Sequence, residues 1–466
     1  MNTRNLHIIY AAVLLSPLFV YEELMLASML GAAGIVLMSY EKISHQLTKL
    51  SWREFVFIIY MFHMLFGERS FAQVGIQPIF VTEIVLAVLT FSYAKDLLRI
   101  RKVLFVYYLI VLVGLAYALI YLFDYRLDAI RDSFMLLYAF WVPLVYHIFR
   151  KKELYDLFFN LLKLFIVLSA IHYVYEFTLI LMDLRVIVFE GFRFGIGYIM
   201  PSLIVISLFL PLKYIDWKYK LLSLIMIPAV FTAFHRSIFL GIFLAVTLIF
   251  VIGHFQSRKN ILIYGATASA VMVGFLILYN MYVEVDLFRI LEIKTSMEEG
   301  NINYRVMSWE HVLGKFYENM ILGFGVGKPI MFMYQNVLYD AVSLTYFEIA
   351  QIPYANAQPH NSYLNILARF GILIFPLFLL ALFAPLFKVR HFIELKGQNG
   401  MQVYSRFLLL TGFLLFMYVF AFFNVVLEGP HHSFPFWLVI GMLLSFGRVG
   451  HFSPKTIRLK RVVSAD

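Results

Sequence analysis

The chain alternates between long apolar runs and short polar connections. A helix needs about 20 apolar residues to cross a hydrocarbon layer of about 30 Å, and roughly 12 to 14 stretches reach or approach that length. They lie near 6–21, 24–40, 55–66, 78–93, 103–123, 133–149, 157–182, 195–212, 221–235, 237–253, 261–282, 361–387, 407–424 and 434–449. The pattern predicts an all-α polytopic membrane protein in which residues 1–466 form a single integral-membrane domain.

Composition supports a membrane protein and excludes other classes. Of the 466 residues 62% are hydrophobic and 14% are charged, whereas a soluble domain is about 45–50% apolar and about 25% charged. So few charges would not cover the surface of a soluble protein. The absence of cysteine excludes a disulfide scaffold, thiol catalysis and cysteine-based metal sites.

Basic residues predict the orientation of the chain. With the N-terminus in the cytoplasm and alternating connections, most of the 38 Lys and Arg residues fall on the cytoplasmic side, as the positive-inside rule requires. Both termini are therefore expected in the cytoplasm. The net charge of +10 is explained by topology, so no nucleic-acid partner is expected. The first apolar run lacks a small-residue cleavage site and is expected to be a retained span.

The largest connection, residues 283–359, is predicted to lie outside the membrane on the opposite face. It is rich in aromatic residues, which is not typical of a disordered segment. Apolar residues recur within it at helical spacing and predict an amphipathic helix: Val306, Trp309, Leu313, Phe316 and Met320. Such a helix is expected either to lie on the membrane surface or to form a lid over an outward-facing site.

The basic residues predicted outside are mostly arginines. Arg193, Arg236 and Arg305 are among them, and Arg236 stands between two apolar runs. The guanidinium group presents a planar fork that grips phosphate oxygens, so this excess suits a diphosphate ligand. Pairing with neighbouring carboxylates is the alternative, particularly for Arg126 and Arg131.

His360 and Asn361 follow Pro359 at the start of an apolar run. Proline favours the first position of a helix, so the pair is expected at the outer end of a span. Histidine is the side chain most easily poised as a base near neutral pH. A structural role at the membrane interface is the alternative.

Four sequence blocks together resemble the O-antigen ligase and O-antigen polymerase family of bacterial membrane glycosyltransferases. They begin at Arg193, His235, Asn303 and His360, and the third continues through residues 323–327. The blocks occur in the family's order, the last two on one outer loop. The resemblance covers roughly residues 185–385. The chain departs from the family at His235, where a small residue is usual, and near residue 319, where proline is frequent.

The resemblance implies transfer of a glycan from undecaprenyl diphosphate to a sugar hydroxyl at the periplasmic face of the inner membrane. No metal and no cofactor are expected. Arg193, Arg236 and Arg305 correspond to motif arginines that would hold the diphosphate, and His360 would act as general base in an inverting reaction. The residues expected to position substrate are Asn361, Trp309, Gly325 and Gly327.

Three functions remain open at this stage. A polymerase, with a second lipid-linked glycan as acceptor and a chain-length regulator as a partner, is preferred because polysaccharide loci commonly need one. A ligase would use lipid A-core as acceptor. A transporter for lipid-linked sugars is the third, but it would show internal repeats and a site near the midplane. Glu190, Glu310 and Glu428 are outer carboxylates, but nothing in the sequence brings two of them together as a glycosidase pair requires. The pair His431–His432 has no third ligand at metal spacing.

Overall fold

The computed structural model describes residues 43, 46–66, 71–72, 74–76, 79–99, 101–181, 199–212, 215–232, 236–253, 255–282, 300–328, 331–332, 355–356, 359–387 and 400–446. The described part is a bundle of α-helices. In chain order they are α1 Trp52–Phe66, α2 Val81–Ser92, α3 Ala94–Leu97, α4 Phe105–Leu137, α5 Trp141–Ile148, α6 Lys152–Leu181, α7 Ile199–Leu208, α8 Trp217–Leu224, α9 Met226–Thr232, α10 Arg236–Ile252, α11 Phe255–Tyr282, α12 Gly300–Glu318, α13 Ser362–Phe383, α14 Gly400–Phe423 and α15 Pro430–Phe446.

Four helical stretches are long and apolar enough to cross a membrane: Lys102–Ile148, Lys152–Val174, Ser362–Phe383 and Gln402–Phe423. The all-α, polytopic membrane class is thereby confirmed. The predicted runs 6–21 and 24–40 lie outside the described residues. Three other predicted spans correspond to shorter apolar helices, Val81–Ser92, Ile199–Leu208 and Arg236–Ile252. Run 221–235 is divided between α8 and α9. The expected total of 12 to 14 spans stays a prediction.

Helix α4 contains the predicted span near 103–123 and the start of the one near 133–149, and it reverses direction at Arg126. This residue has φ 48° and ψ −123°, which no helix accommodates. A Cβ on Gly114 would lie 3.1 Å from the Cβ of Leu136, so the segments before and after Arg126 pack side by side. The two spans near 103–123 and 133–149 are therefore an antiparallel pair joined by a tight turn.

Polar contacts separate the bundle into two ends. At one end, segments predicted to be cytoplasmic meet each other: Lys151 lies 2.5 Å from Glu54, and Arg406 lies 2.8 Å from Asp156. At the other end, Arg369 meets Asp132. The contacts thus group connections that are predicted to lie on the same side, while the side that each end faces stays a prediction. We call the second end the site end.

Two short antiparallel hairpins lie outside the helices. Gly75–Ile76 pairs with Ile79–Phe80, and Met331–Phe332 pairs with Ala355–Asn356. The second pairing closes the large loop on itself. It places Asn356, three residues before Pro359, beside Met331.

Helix α13 is broken at Gly371, and the break is filled by the loop that follows α12. Gly371 has φ 74°, a conformation that glycine adopts without a steric penalty. The N–H groups of Ile372 and Leu373 donate to the carbonyls of Met320 and Ile321, at 2.8 and 3.2 Å. On the other side of the break, the N–H groups of Phe324 and Gly325 donate to carbonyls of residues 368 and 369. Backbone groups freed by the break are thus satisfied by one loop.

Replacing Gly371 with alanine is expected to destabilise the protein by about 1–3 kcal/mol or more, because its backbone conformation is essentially restricted to glycine. A Cβ there would also lie 2.2 Å from the carbonyl oxygen of Ile321. Thermal unfolding in detergent measures the effect. Gly274→Ala is the matched control, since a Cβ at that position meets open space. Equal stability of the two variants would contradict the proposed role of the break.

Candidate active site

The structure brings Arg305 and His360 together at the site end. Arg305 lies in the first half of α12, and His360 lies immediately before α13. The positive charge of Arg305 contributes to the electrostatic environment of the His360 ring. The two residues are separated by much of the large loop in sequence. They meet because α12 packs against α13 through an apolar seam that contains Val312, Phe316 and Ala368.

His360 does not open the helix as the sequence predicted. It has φ 44°, and α13 begins at Ser362 with Asn361 as its N-cap. The Asn361 side chain accepts the N–H of Leu364 at 3.0 Å, which satisfies an otherwise unpaired helix donor. The left-handed backbone turns His360 out of the helix path while its neighbour caps the helix.

Burial and, as a smaller contribution, the positive charge of the nearby Arg305 together lower the pKa of His360 to about 4. The imidazole is therefore neutral at pH 7. A neutral ring has one nitrogen that accepts a proton. From the sequence we expect a histidine with a pKa near its ordinary value. In the structure its pKa lies well below that value.

Trp309 ties α12 to the segment that carries His360. Its indole N–H donates to the carbonyl of Pro359, directly before the histidine. Its ring meets Phe422 of α14 edge-on at 6.1 Å. The predicted substrate-positioning residue is thus in contact with the backbone beside His360.

Gly325 and Gly327 lie buried against α4. A Cβ on Gly325 would lie 2.3 Å from the ring of Tyr121, and a Cβ on Gly327 would lie 2.4 Å from Tyr125. Both glycines have positive φ. These two positions need glycine because the loop lies directly on tyrosine side chains, which is a packing requirement. Their predicted role in positioning substrate stays a prediction.

A buried ion pair anchors residues 323–327, which we call the glycine loop. The guanidinium group of Arg369 lies 2.7 Å from the carboxylate of Asp132, and the same carboxylate accepts the N–H of Gly327 at 2.9 Å. Arg369 also donates to the side-chain oxygen of Asn365 at 3.1 Å. Burying an isolated charge is costly, so these contacts explain how an arginine is tolerated in an apolar span.

The hydrogen bonds continue from Asn365 to the start of α13. The Asn365 amide donates to Glu428 at 3.1 Å, and the Ser362 hydroxyl donates to the other carboxylate oxygen at 2.6 Å. Ser362 in turn accepts the N–H groups of Val426 and Leu427. Burial raises the pKa of Glu428, and the bonds from Ser362 and Asn365 act in the opposite direction. We call the connected side chains Asp132, Arg369, Asn365, Glu428 and Ser362 the polar chain.

The two remaining predicted arginines fall in different places. Arg236 is the first residue of α10 and is exposed. Its neighbour Ser237 accepts a 2.8 Å hydrogen bond from the side chain of Asn424. Asn424 directly precedes the segment whose N–H groups, from Val426 and Leu427, donate to Ser362. Arg236 therefore belongs to the site end. Arg193 lies outside the described residues.

Within the described ranges, no three His, Asp or Glu side chains converge as metal ligands. The rings of His431 and His432 lie 4.0 Å apart at the start of α15. His432 is also within 3.3 Å of the carbonyl of Val425.

Sequence reasoning missed the polar chain. Arg369 lies within a predicted span and Glu428 in a predicted outer connection, but their spacing in the sequence does not connect them. The available signal was the cost of an in-span charge, which demands a partner nearby. The identity of the partner, Asp132, comes from a distant helix and is not visible in the spacing of the chain.

Residues 221–379 match the O-antigen ligase family model. The resemblance inferred from sequence is confirmed over this matched segment, which holds Arg236, Arg305, Trp309 and His360. The matched segment runs from the second half of α8 to most of α13. No curated protein and no solved structure matches the chain. The match supports a membrane glycosyltransferase of the ligase and polymerase type.

Replacing Arg369 with methionine is expected to cost about 3–5 kcal/mol, because it removes the buried cation that lies closest to the Asp132 carboxylate. Denaturant or thermal unfolding of the purified protein measures the loss. The double variant with Asp132→Asn is expected to recover part of it, since no unpaired charge remains. Arg131→Met is the control: this half-exposed arginine lies 3.7 Å from the same Asp132 and should cost at most about 1 kcal/mol. A mild effect at Arg369 would contradict the anchoring role.

Proposed function

We propose that the protein is an O-antigen ligase of the bacterial inner membrane. It transfers a glycan from undecaprenyl diphosphate to a sugar hydroxyl of lipid A-core. The site end faces the periplasm, and both termini lie in the cytoplasm. The description of the matched family favours the ligase over the polymerase that the sequence alone preferred.

The observation that carries this proposal is that Arg305 lies near a neutral, largely buried His360 inside the matched segment, residues 221–379. A fixed cation next to a proton acceptor is what this chemistry needs. The leaving diphosphate gains negative charge as the attacking hydroxyl loses its proton. Donors preorganised toward the developing charge lower the barrier without having to reorient.

The reaction forms a bond between the acceptor oxygen and the anomeric carbon and breaks the bond between that carbon and the phosphate oxygen. The hydroxyl proton passes to the free ring nitrogen of His360. The electron pair of the broken bond leaves with undecaprenyl diphosphate, whose charge Arg305, Arg236 and Arg193 balance. Direct displacement inverts the anomeric centre. The arginines bind phosphate through bidentate forks, and no metal ion or cofactor is assigned a role.

Donor binding strengthens the base. A diphosphate beside Arg305 offsets the positive charge that helps to hold the pKa of His360 low. An anion near the ring also favours its protonated form directly. The histidine is therefore a poor proton acceptor in the free protein and a better one once the donor is in place. Trp309 and Asn361 hold the backbone on either side of His360 in place.

His360→Ala and Arg305→Ala are expected to reduce transfer by about 100-fold or more, the usual range for removing a general base or a charge-stabilising donor. The assay supplies a synthetic undecaprenyl-diphosphate glycan and a lipid A-core acceptor to the purified protein. Lys315→Ala is the matched control for Arg305, because Lys315 lies on the same helix and pairs with Glu318 at 2.7 Å. Unfolding curves check that the variants are folded.

Two results would contradict the assigned chemistry. One is wild-type transfer by both His360→Ala and Arg305→Ala. The other is loss of wild-type transfer in EDTA that is reversed by a divalent metal, since the proposed reaction needs none.

The pH profile should separate the free protein from the donor complex. The lowered pKa means that His360 stays neutral until the pH approaches about 4, so kcat/KM is expected to fall only there. The acid limb of kcat reports the donor complex and should lie at higher pH. Arg305→Gln should move the kcat/KM limb upward, because it removes a positive charge that lowers the pKa. A kcat/KM limb near the ordinary histidine value of about 6.5 would contradict this account.

The acceptor distinguishes ligase from polymerase. A ligase transfers one glycan to lipid A-core and leaves a lone lipid-linked repeat unit unchanged. A polymerase converts that repeat unit alone into a ladder of longer glycans. We expect product only when lipid A-core is present; a ladder without it would assign the polymerase instead.

A further inference from the structure

The loop that fills the break in α13 ends in an exposed apolar tip. Met320, Ile321 and Leu322 are 44%, 64% and 49% exposed. Residues 319–327 contain no charged side chain. Three consecutive large apolar residues at a loop tip are unfavourable in water, so their depth relative to the membrane decides what surrounds them.

Helix α13 gives a first measure of that depth. Its side chains are buried or half-buried from residue 362 to 371, and strongly exposed apolar ones begin at Ile372 and Leu373. Met320 and Ile321 accept hydrogen bonds from the N–H groups of these same two residues. The tip therefore lies level with the first lipid-facing residues of a membrane-spanning helix.

Helix α4 gives a second, independent measure. Its first half runs toward the site end and reverses at Arg126. The hydroxyl of Tyr117 donates to the carbonyl of Leu322 at 2.7 Å, and side chains on a helix lean toward its N-terminus. Leu322 is thus no nearer the site end than Tyr117. Exposed apolar side chains continue beyond this level to Phe123, which is 91% exposed and lies about 9 Å further along the helix.

The loop climbs from the tip toward the site end. Gly325 lies on Tyr121, and Gly327 lies on Tyr125, each one helical turn further along α4. The chain thus descends from α12, turns at Met320 to Leu322, and rises again. The tip is the deepest part of this loop.

The backbone at the tip meets the condition for immersion in hydrocarbon. Non-helical backbone is tolerated at that depth only where its polar groups are satisfied by protein. The carbonyls of residues 320, 321 and 322 accept bonds from Ile372, Leu373 and Tyr117. The N–H groups of Leu322 and Gly323 donate to Asn319.

We propose that Met320, Ile321 and Leu322 form a re-entrant tip inserted among the lipid acyl chains of the leaflet at the site end. The stretch from Ile372 to Phe387 spans only about 24 Å at 1.5 Å per residue, less than the hydrocarbon thickness of about 30 Å. The hydrocarbon layer must therefore extend past Ile372 toward the site end. Because the tip lies level with Ile372, this layer surrounds the tip. The same contacts fix α12, which carries Arg305, against the membrane surface.

The absence of cysteine from the chain allows a direct test. Ile321→Cys is labelled with a nitroxide in the full chain reconstituted into vesicles of phosphatidylethanolamine and phosphatidylglycerol. Collisions with oxygen, which concentrates in lipid, are compared with collisions with a water-soluble nickel chelate. Leu119→Cys is the lipid control. Glu318→Cys is the water control, one turn before the tip and exposed on α12.

We expect the oxygen-to-nickel ratio at Ile321 to match that at Leu119 and to exceed that at Glu318 several-fold. A ratio equal to that at Glu318 would place the tip in water and overturn the proposal. Exclusion of both reagents would place it against protein, such as a second copy of the chain, and would overturn it as well. Met320→Cys repeats the measurement if Ile321→Cys does not fold. The test requires no transfer activity, so its outcome is separate from that of the proposed function.

Discussion

The break in α13 at Gly371 is the constraint on which the candidate site depends. A continuous helix would satisfy its own backbone groups and leave none for a neighbour. At Gly371 those groups are released, and the loop after α12 takes them up on both sides of the break. This bonding fixes α12 against the first turns of α13. Arg305 and His360 then meet because they lie on two elements held by the same loop.

The polar chain performs the second half of this task. It begins at Asp132 of α4, which binds the glycine loop, and continues through Arg369 and Asn365 to Glu428 and Ser362. Each member has a partner on a different element, so the connection between α14 and α15 is tied to the start of α13. A fully satisfied buried network of this kind favours one arrangement over its alternatives. The polar chain ends at Ser362, two positions after His360, and so fixes the start of the helix beside that histidine.

Sequence reasoning predicted particular parts of this arrangement and missed others. The 3-4-3-4 spacing from Val306 to Met320 predicted α12, and the structure has a helix over Gly300–Glu318. Two spans around Arg126 were predicted from their apolar lengths, and they are present as an antiparallel pair. His360 was expected inside a helix, but its positive φ places it just before one. That difference arose because Asn361 is the better N-cap, and its side chain competes successfully for the first free N–H groups.

The sequence by itself determined the environment, the helical class and the residue types available for chemistry, because these follow from local composition and periodicity. A run of apolar residues must be helical in lipid whatever its neighbours are. Only the tertiary structure decided that Arg369 finds Asp132, that a glycine loop completes a broken helix, and that burial beside Arg305 lowers the pKa of His360. Those results depend on contacts between residues far apart in the chain. Such contacts arise from packing, and neither spacing nor composition encodes them locally.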